Sequence, residues 1–445
     1  MTDRPNVLLL HCHDLGRFLG SYDIRTVRTP VLDALAADGV RFRDAFCVAP
    51  QCSPSRASLF TGRYPQHTGV LGLTHSYFGW DLNASEQHLA GRLHEQGYAT
   101  ALLGVHHESR RLADGDVAAR LGFDHVRTEG IAPVVAARAV EQLTGFAAGG
   151  RPFYLQVGFS EPHRMPSKRD EHGTMGFLGE HIEPDSRSGV TVPPHLVDDA
   201  GSRAEMAELQ GAVATMDSAV GEVLNALHRL DLEQDTIVIF TTDHGLALPR
   251  AKCSLYDPGL EIALIVRAPG AGWTGGRTVT GLVSNVDIVP TILEQAGIPV
   301  PSDLDGQSLE PLISGDTAGR EHVFGQMTYH DYYDPRRCIR TANHKLIVNF
   351  SSAPFFMDPS QSWRPRSTAA GLDERAFIPY HPPVELYDLH ADPVELTNLA
   401  ENSEYAGIRA ELLALLGDWM RATQDPLLAG SVTSPMQAGA VRLLE

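Results

Sequence analysis

A chain of 445 residues is long enough to bury a large core, as one big domain or one and a half. Its formal net charge of -19 excludes non-specific nucleic-acid binding, which needs a basic face. It does not exclude a small anionic substrate, because a few local cations reverse the field inside a pocket.

The five cysteines Cys12, Cys47, Cys52, Cys253 and Cys338 form no disulfide framework and no CxxC zinc pair. Met1-Thr2-Asp3-Arg4-Pro5 runs straight into an apolar strand, and no apolar run is long enough to span a bilayer. A cytoplasmic location without membrane contact is the expectation. Residues 6–12 read as a buried strand, since Val7 to Leu10 is continuously apolar; the strand ends at His13-Asp14-Leu15-Gly16. Thr29-Pro30 opens a helix that Gly39 closes. A helix with Pro54 in its first turn and Gly62 at its stop follows Cys52. Ser85 is expected to cap the next helix, which ends at Gly97.

A second strand, 99–105, ends at His106-His107-Glu108, and a third, 153–159, at Glu161-Pro162-His163-Arg164. Between them lies a helix over 132–146. Residues 165–202 are polar and irregular, and suit a rim or lid near a site. Met206, Leu209, Val213, Met216, Val220, Val223 and Leu227 have the three-four spacing of a long amphipathic helix, with the methionines in the core. A fourth strand, 236–241, ends at Asp243-His244-Gly245; a fifth spans 262–266, and a helix over 286–295 contains Pro290.

This alternation predicts an α/β fold: a large, mostly parallel sheet sandwiched by helices. After Gly319 the pattern becomes short strands at 322–326, 338–341, 345–349 and 385–388, an irregular stretch over 351–383, and a closing helix over 402–423 with Leu412, Leu413, Leu416 and Trp419 inward. The domains expected are a catalytic one at 1–319 and a smaller α+β subdomain at 320–445 that contributes to the substrate pocket.

Ligands of parallel sheets bind outside the carboxyl ends of the strands. Four strand ends here bring His13 and Asp14, His107, His163, and Asp243 and His244 to one rim. Each alone would read as a loop or capping residue; together they make a site. Cys52 faces a helix N-terminus with Arg56 one turn on, so its thiol is expected to ionise easily.

The run Cys52-Ser53-Pro54-Ser55-Arg56, continuing Ala-Ser-Leu-Phe-Thr-Gly-Arg, resembles the maturation signature of type I sulfatases in the alkaline-phosphatase-like superfamily. Arg4-Pro5-Asn6-Val7, Thr242-Asp243-His244-Gly245, Leu255-Tyr256-Asp257-Pro258-Gly259, Val286 to Thr291 and Glu385-Leu386-Tyr387-Asp388 extend the resemblance over nearly the whole chain. Glu161-Pro162-His163-Arg164, the Pro-rich segment after Asn349, Asp418-Trp419 and Gln424-Asp425-Pro426 are most similar to the N-sulfoglucosamine sulfohydrolase (sulfamidase) branch.

The resemblance implies that a separate formylglycine-generating enzyme oxidises Cys52 to formylglycine, and that one divalent metal is held by Asp14, Asp243, His244 and an oxygen of the matured Cys52. His13 stands where the family usually has an aspartate, and is either a further ligand or out of the shell. Calcium is the family habit; two imidazoles make manganese its rival.

It further implies that Arg56 steadies the hydrated aldehyde, Lys252 grips sulfate, and His163, or a water it holds, protonates the leaving group. His107 removes the proton that lets sulfate depart. Val105 stands where the family often has a lysine, leaving His106, Arg164 or another group to supply that cation. His330 and Asp331, with Arg337 nearby, fall where the sulfamidase branch holds its amino sugar, and their chemistry suits hydroxyls and a second acid group. The implied function is hydrolysis of a sulfate ester or sulfamate on a small sulfated sugar. The alternatives are a phosphonate or phosphate monoester hydrolase on the same scaffold, and a carbohydrate-binding pseudoenzyme.

Overall fold

The apolar run Val7 to Leu10 is fully buried, and its strand, Asn6–Cys12, lies inside an eight-stranded sheet. From edge to edge the strands are Arg277–Ser284, Val40–Phe46, Leu264–Arg267, Thr236–Thr242, Asn6–Cys12, Phe153–Gly158, Ala99–Gly104 and His125–Arg127. The computed structural model describes residues 4–75, 78–110, 112–166, 175–176, 182–353 and 380–444. Among them the sheet is parallel except at Leu264–Arg267, which runs antiparallel to both neighbours. A parallel return needs a long crossover. Only the short helix Asp257–Leu260 lies between Thr242 and Leu264, so the chain turns back instead, and that return carries Lys252.

Strand side chains alternate between two cores. Val7, Leu9, Ile237 and Ile239 face the helices Cys52–Thr61, Leu89–Glu95 and Ile288–Gln295. Leu8, Leu10, Val238 and Phe240 face Pro30–Asp38, Ala132–Gly149 and the long helix Ala200–Arg229, whose Met206 and Met216 are in the core as expected. Pro290 sits in the first turn of Ile288–Gln295, after a 3-10 turn at Asn285–Asp287. Its missing amide hydrogen would have no helical partner there.

Some elements differ from expectation. The helix assigned to Ser85 begins at Leu89, because the His88 side chain caps it by accepting the Ala90 amide. The fifth strand forms at Leu264–Arg267 rather than 262–266. Val40–Phe46, His125–Arg127 and Arg277–Ser284 are strands that the sequence pattern does not predict.

The second sheet is antiparallel, with strands His322–Tyr329, Tyr333–Thr341, His344–Asn349 and Val384–Asp388 in that order. Helix Ala406–Ala422 lays Leu412, Leu416, Trp419 and Met420 against Ile339, Leu346 and Leu386. Leu413, expected inward, is exposed, and Met420 takes the inward place. Most of the irregular stretch 351–383, and much of 165–202, lies outside the described residues. No helix among the described residues is long and apolar enough to cross a membrane.

Candidate active site

Cys52 opens the helix Cys52–Thr61, which Gly62 ends in a left-handed conformation at φ 73°. The helix is buried on every side, so its first turn is clamped against the strand ends. Asp14 follows the first strand at a positive φ of 51°. The Asp14 amide donates to Asp243 Oδ1 at 2.9 Å, and the His244 amide donates to the same oxygen at 2.9 Å. Asp243 thus stitches together the ends of two neighbouring strands.

Each carboxylate has a cation. Lys252 Nζ lies 3.0 and 2.9 Å from the two oxygens of Asp14. Arg56 donates to Asp243 Oδ2 at 3.2 Å through Nε. The Arg56 guanidinium also reaches His11 Nδ1 at 2.6 Å and the Cys12 carbonyl at 3.1 Å. Burial alone would raise both acids. For Asp14 the charges of Lys252, His163 and His244 override it; for Asp243 those of His244, Arg56 and His13 do. Both acids therefore lie below the ordinary carboxylate range.

His244 Nδ1 donates to the Gly245 carbonyl at 2.9 Å, which leaves the Nε2 lone pair free. That nitrogen lies 3.3 Å from Cys52 Sγ, 3.2 Å from Asp14 Oδ1 and 3.7 Å from Asp243 Oδ2. His163 repeats the device: its Nδ1 donates to the Arg164 carbonyl at 2.6 Å, and its Nε2 is 3.7 Å from Asp14 Oδ2. Burial lowers His13, His244 and His163, the last to about 3. Ligand atoms of Asp14, Cys52, Asp243 and His244 lie within 4.8 Å of one another; a second set, His13, Asp14, Cys52 and His163, overlaps it. Acceptor lone pairs converging in a buried place suit a divalent cation.

His13 Nδ1 is 3.0 Å from Asp243 Oδ2 but makes no hydrogen bond among the described residues. Its ring lies 5.0 Å from that of His163 and 5.3 Å from that of His107. The expectation that Cys52 ionises easily is corrected. Burial, with Asp14 and Asp243 adding to it, pushes its thiol up to about 12 against Lys252 and Arg56.

A cavity of about 520 Å³ opens over this centre, and Cys52, His13, His107, His163, Lys252 and His330 all reach it. Val105 gives it an apolar wall. His106 lines it too; burial lowers its imidazole, and Ser109 Oγ meets its Nε2 at 2.9 Å. Arg164, also in the lining, is a permanent cation, held by Glu205 and by the Ala247 carbonyl.

His330 is buried in the hairpin turn after His322–Tyr329, with Asp331 Oδ2 3.5 Å from its Nδ1. Arg337 is not brought to the cavity. It is fully buried, and its guanidinium forks onto Asp425 at 2.5 and 2.9 Å. A position after a short strand did not reveal that partner, 88 residues away.

Sequence reasoning missed the connection beneath His107. Thr74 Oγ1 donates to the His107 carbonyl at 3.0 Å and lies 3.2 Å from Ser53 Oγ, tying the cysteine helix to the His107 loop. His75, also unremarked in the sequence, packs its ring at a tilt of 40° against that of His107, with centroids 5.3 Å apart.

Comparison with known proteins gives a consistent result. The family model for sulfatases matches residues 5–298, and that for the N-sulphoglucosamine sulphohydrolase C-terminal region matches 248–358. The chain is 31% identical over 468 residues to N-sulphoglucosamine sulphohydrolase of Homo sapiens, across 95% of this chain and 91% of that one. It is 30% identical over 450 residues to arylsulfatase K of Homo sapiens, across 89% and 79%. The solved structure of BT4656 in complex with its substrate D-glucosamine-2-N,6-O-disulfate matches with a TM-score of 0.70 at 20% identity, over 95% of this chain and 98% of that one. At that identity the match shows a common fold.

Proposed function

The chain belongs to the sulfatase family and is a sulfuric ester hydrolase, and we propose that it removes an N- or O-sulfate from a small sulfated sugar using Cys52 matured to formylglycine. The observation that carries this reading is the convergence of Asp14, Asp243 and His244 on the Cys52 side chain. In this structure Sγ stands where the matured residue would place an oxygen. Asp14, Asp243, His244 and that oxygen would hold a divalent metal, with His13 as a further candidate ligand. When bound, the metal would polarise the sulfate and offset its charge. The aldehyde, as its hydrate, would supply both the attacking oxygen and a second hydroxyl through which sulfate is expelled.

The chain's own groups do the rest. Lys252 and Arg164 attract the sulfate oxygens into the cavity, and Arg164 takes over the charge that Val105 lacks. Arg56 holds Asp243 ionised and in place. His163, whose Nε2 lone pair faces the centre, gains a proton as the anion arrives and passes it, directly or through water, to the leaving group. His107 has a buried Nδ1 without a hydrogen-bond partner among the described residues. It is placed to accept the proton whose removal frees sulfate.

Residues 320–445, as the smaller domain, bring His330 to the sugar with Asp331 orienting its ring, while residues 1–319 carry the chemistry. The imidazoles favour manganese or a related ion over calcium. Metal analysis of protein purified without added ions checks this: stoichiometric calcium contradicts it.

The experiment that tests the function compares rates on sulfated mono- and disaccharides, an aryl sulfate, an aryl phosphate and an aryl phosphonate. The expected order places a sulfated sugar first. Faster phosphonate or phosphate turnover would replace the sulfatase reading with an ester hydrolase one. Asp331→Ala should lower sugar turnover and leave aryl sulfate turnover unchanged.

A further inference from the structure

Directly beneath His107, away from the cavity, lies a fully buried carboxylate that the chemistry above does not use. Glu108 is 0 % exposed. Its Oε2 accepts the His107 backbone amide at 2.8 Å, and its Oε1 accepts Gln156 Nε2 at 3.2 Å. Gln156 is itself fixed, since it lies in the strand Phe153–Gly158 and accepts the Tyr154 hydroxyl at 2.9 Å.

A third group faces the same oxygen. His88 Nδ1 accepts the Ala90 amide at 3.0 Å, so the His88 proton sits on Nε2, which points at Glu108 Oε1 from 3.7 Å. The His88 ring packs on Phe60 at 5.2 Å, and Phe60 belongs to the cysteine helix. Burial would raise the Glu108 carboxyl, but His106, His88 and Arg56 hold it well below the usual range, as an anion.

We propose that Glu108 is a positioning residue that acts through His107. Residues 107 and 108 are consecutive, so one side chain turns into the cavity and the other into the core. The carboxylate clamps the backbone between them to a sheet strand and, through His88, to the helix that carries residue 52. His107 has no side-chain hydrogen bond at Nδ1 to hold its ring among the described residues. Its aim therefore depends on its backbone, on the contacts with His13 and His75, and on Thr74 at its carbonyl. A buried anion taking donors from a strand side chain and a loop amide defines that backbone more tightly than packing alone.

This inference rests on the sulfatase reading, in which His107 serves the release of sulfate. Glu108 should matter to that half of the turnover and not to substrate binding or the first chemical step.

The test is a donor–acceptor exchange. In Glu108→Gln either one amide faces a donor, the His107 N–H or the Gln156 NH2, or Gln156 flips and takes its oxygen away from the Tyr154 hydroxyl. In Gln156→Glu two carboxylates meet. The double variant Glu108→Gln with Gln156→Glu restores a matched pair, because the new amide at position 108 can accept from the His107 N–H and donate to the carboxylate at position 156. With matured protein and an aryl sulfate, each single variant should lose about tenfold in kcat, the scale of a misaimed catalytic group, with kcat/KM within about twofold, because a slower release step lowers kcat and KM together. Each should also show a stoichiometric burst of phenol before a slower steady state. The double variant should recover kcat to within about threefold of wild type.

Wild-type turnover of the aryl sulfate answers for the sulfatase reading, and the ratios among variants answer for Glu108. Thermal melts of the same four proteins report coupling between the two side chains even where turnover is weak. Single variants with wild-type kcat, or losses that add in the double variant for both kcat and melting temperature, would overturn the proposal.

Discussion

Two regions of this molecule bury charge, and they do so in opposite ways. In the smaller sheet and at its junction with the larger one, the buried carboxylates Asp257, Glu395 and Asp425 have matched donors. Lys345 Nζ lies 2.5 Å from Asp257 and 3.0 Å from Glu395. Arg340 meets Asp257 at 3.1 Å, and Arg337 forks onto Asp425. At the rim of the larger sheet, Asp14 and Asp243 also have their cations, but imidazole nitrogens and the Cys52 sulfur point at the same carboxylates. In the first arrangement each carboxylate has a lysine or arginine nitrogen within 3.1 Å. The second gathers acceptors beyond what its protons satisfy. Burial of charge therefore does not distinguish a site from a structural joint; an excess of converging acceptors does.

That contrast predicts its largest effect at the rim. Asp243→Asn should lower kcat/KM by roughly a thousandfold or more, since it removes a charge at the reacting centre, and should also lower the melting temperature, since it leaves the buried Arg56 without its carboxylate. Wild-type stability with intact kcat/KM would dissolve the distinction. Chelation should also stop turnover and lower the melting temperature, because an ion bound only by the folded state stabilises it. Adding back manganese or calcium should restore both, and the ion that restores more decides the metal. A chelated protein with unchanged rate would leave the converging lone pairs without a purpose.

In the matched region the order reverses. Arg337→Ala strands a fully buried Asp425 carboxylate and should cost about 3 to 5 kcal/mol of stability in urea titration. The relative rates on sugar and aryl sulfate should stay as they are. A change in that ratio would return Arg337 to the substrate.

The smallest effect is a pH signature at the junction. Glu385 is held down to about 2: burial would raise it, but His381, Tyr387 and Asn349 override burial. A carboxyl depressed in the folded state stabilises above its unfolded value near 4.5, and loses that contribution as pH falls towards 2. Glu385→Gln should thus cost about 2 kcal/mol at pH 7. It should cost progressively less below pH 4.5, measured by urea titration at each pH. A difference independent of pH would mean the charge plays no part.

Much of this architecture was legible in the residues. Continuous apolar runs mark the central strands, and polar residues just after them mark the rim, because in a parallel sheet strand ends and ligands share an edge. The edge strands are harder to read. Val40–Phe46 alternates apolar residues with Arg41 and Arg43, and a charged alternation is less conspicuous than a buried run. The antiparallel turn at Leu264–Arg267 depends on the length of the preceding connection.

At the site, identity is readable and environment is not. His163 and His244 can be named from the sequence, but their tautomers follow from the carbonyls of Arg164 and Gly245, which only folding brings to Nδ1. Its helix alone makes Cys52 read as acidic. Burial reverses this, and Asp14 and Asp243, which add to it, come from strand ends far away in the sequence. Arg337 misleads for the same reason, since its partner Asp425 is far along the chain. Glu108 carries no signal beyond a charge after a strand.

Residue 52 is where the chemistry is decided. The direct measurement is mass spectrometry of the peptide containing Cys52, from protein made with and without a formylglycine-generating enzyme, with aryl sulfate turnover measured on both samples and on Cys52→Ala. The expected result is an aldehyde in place of the CH2SH group in the first sample, turnover that scales with the converted fraction, and an inactive Cys52→Ala. Full turnover by unconverted protein, or by Cys52→Ala, would refute the formylglycine mechanism.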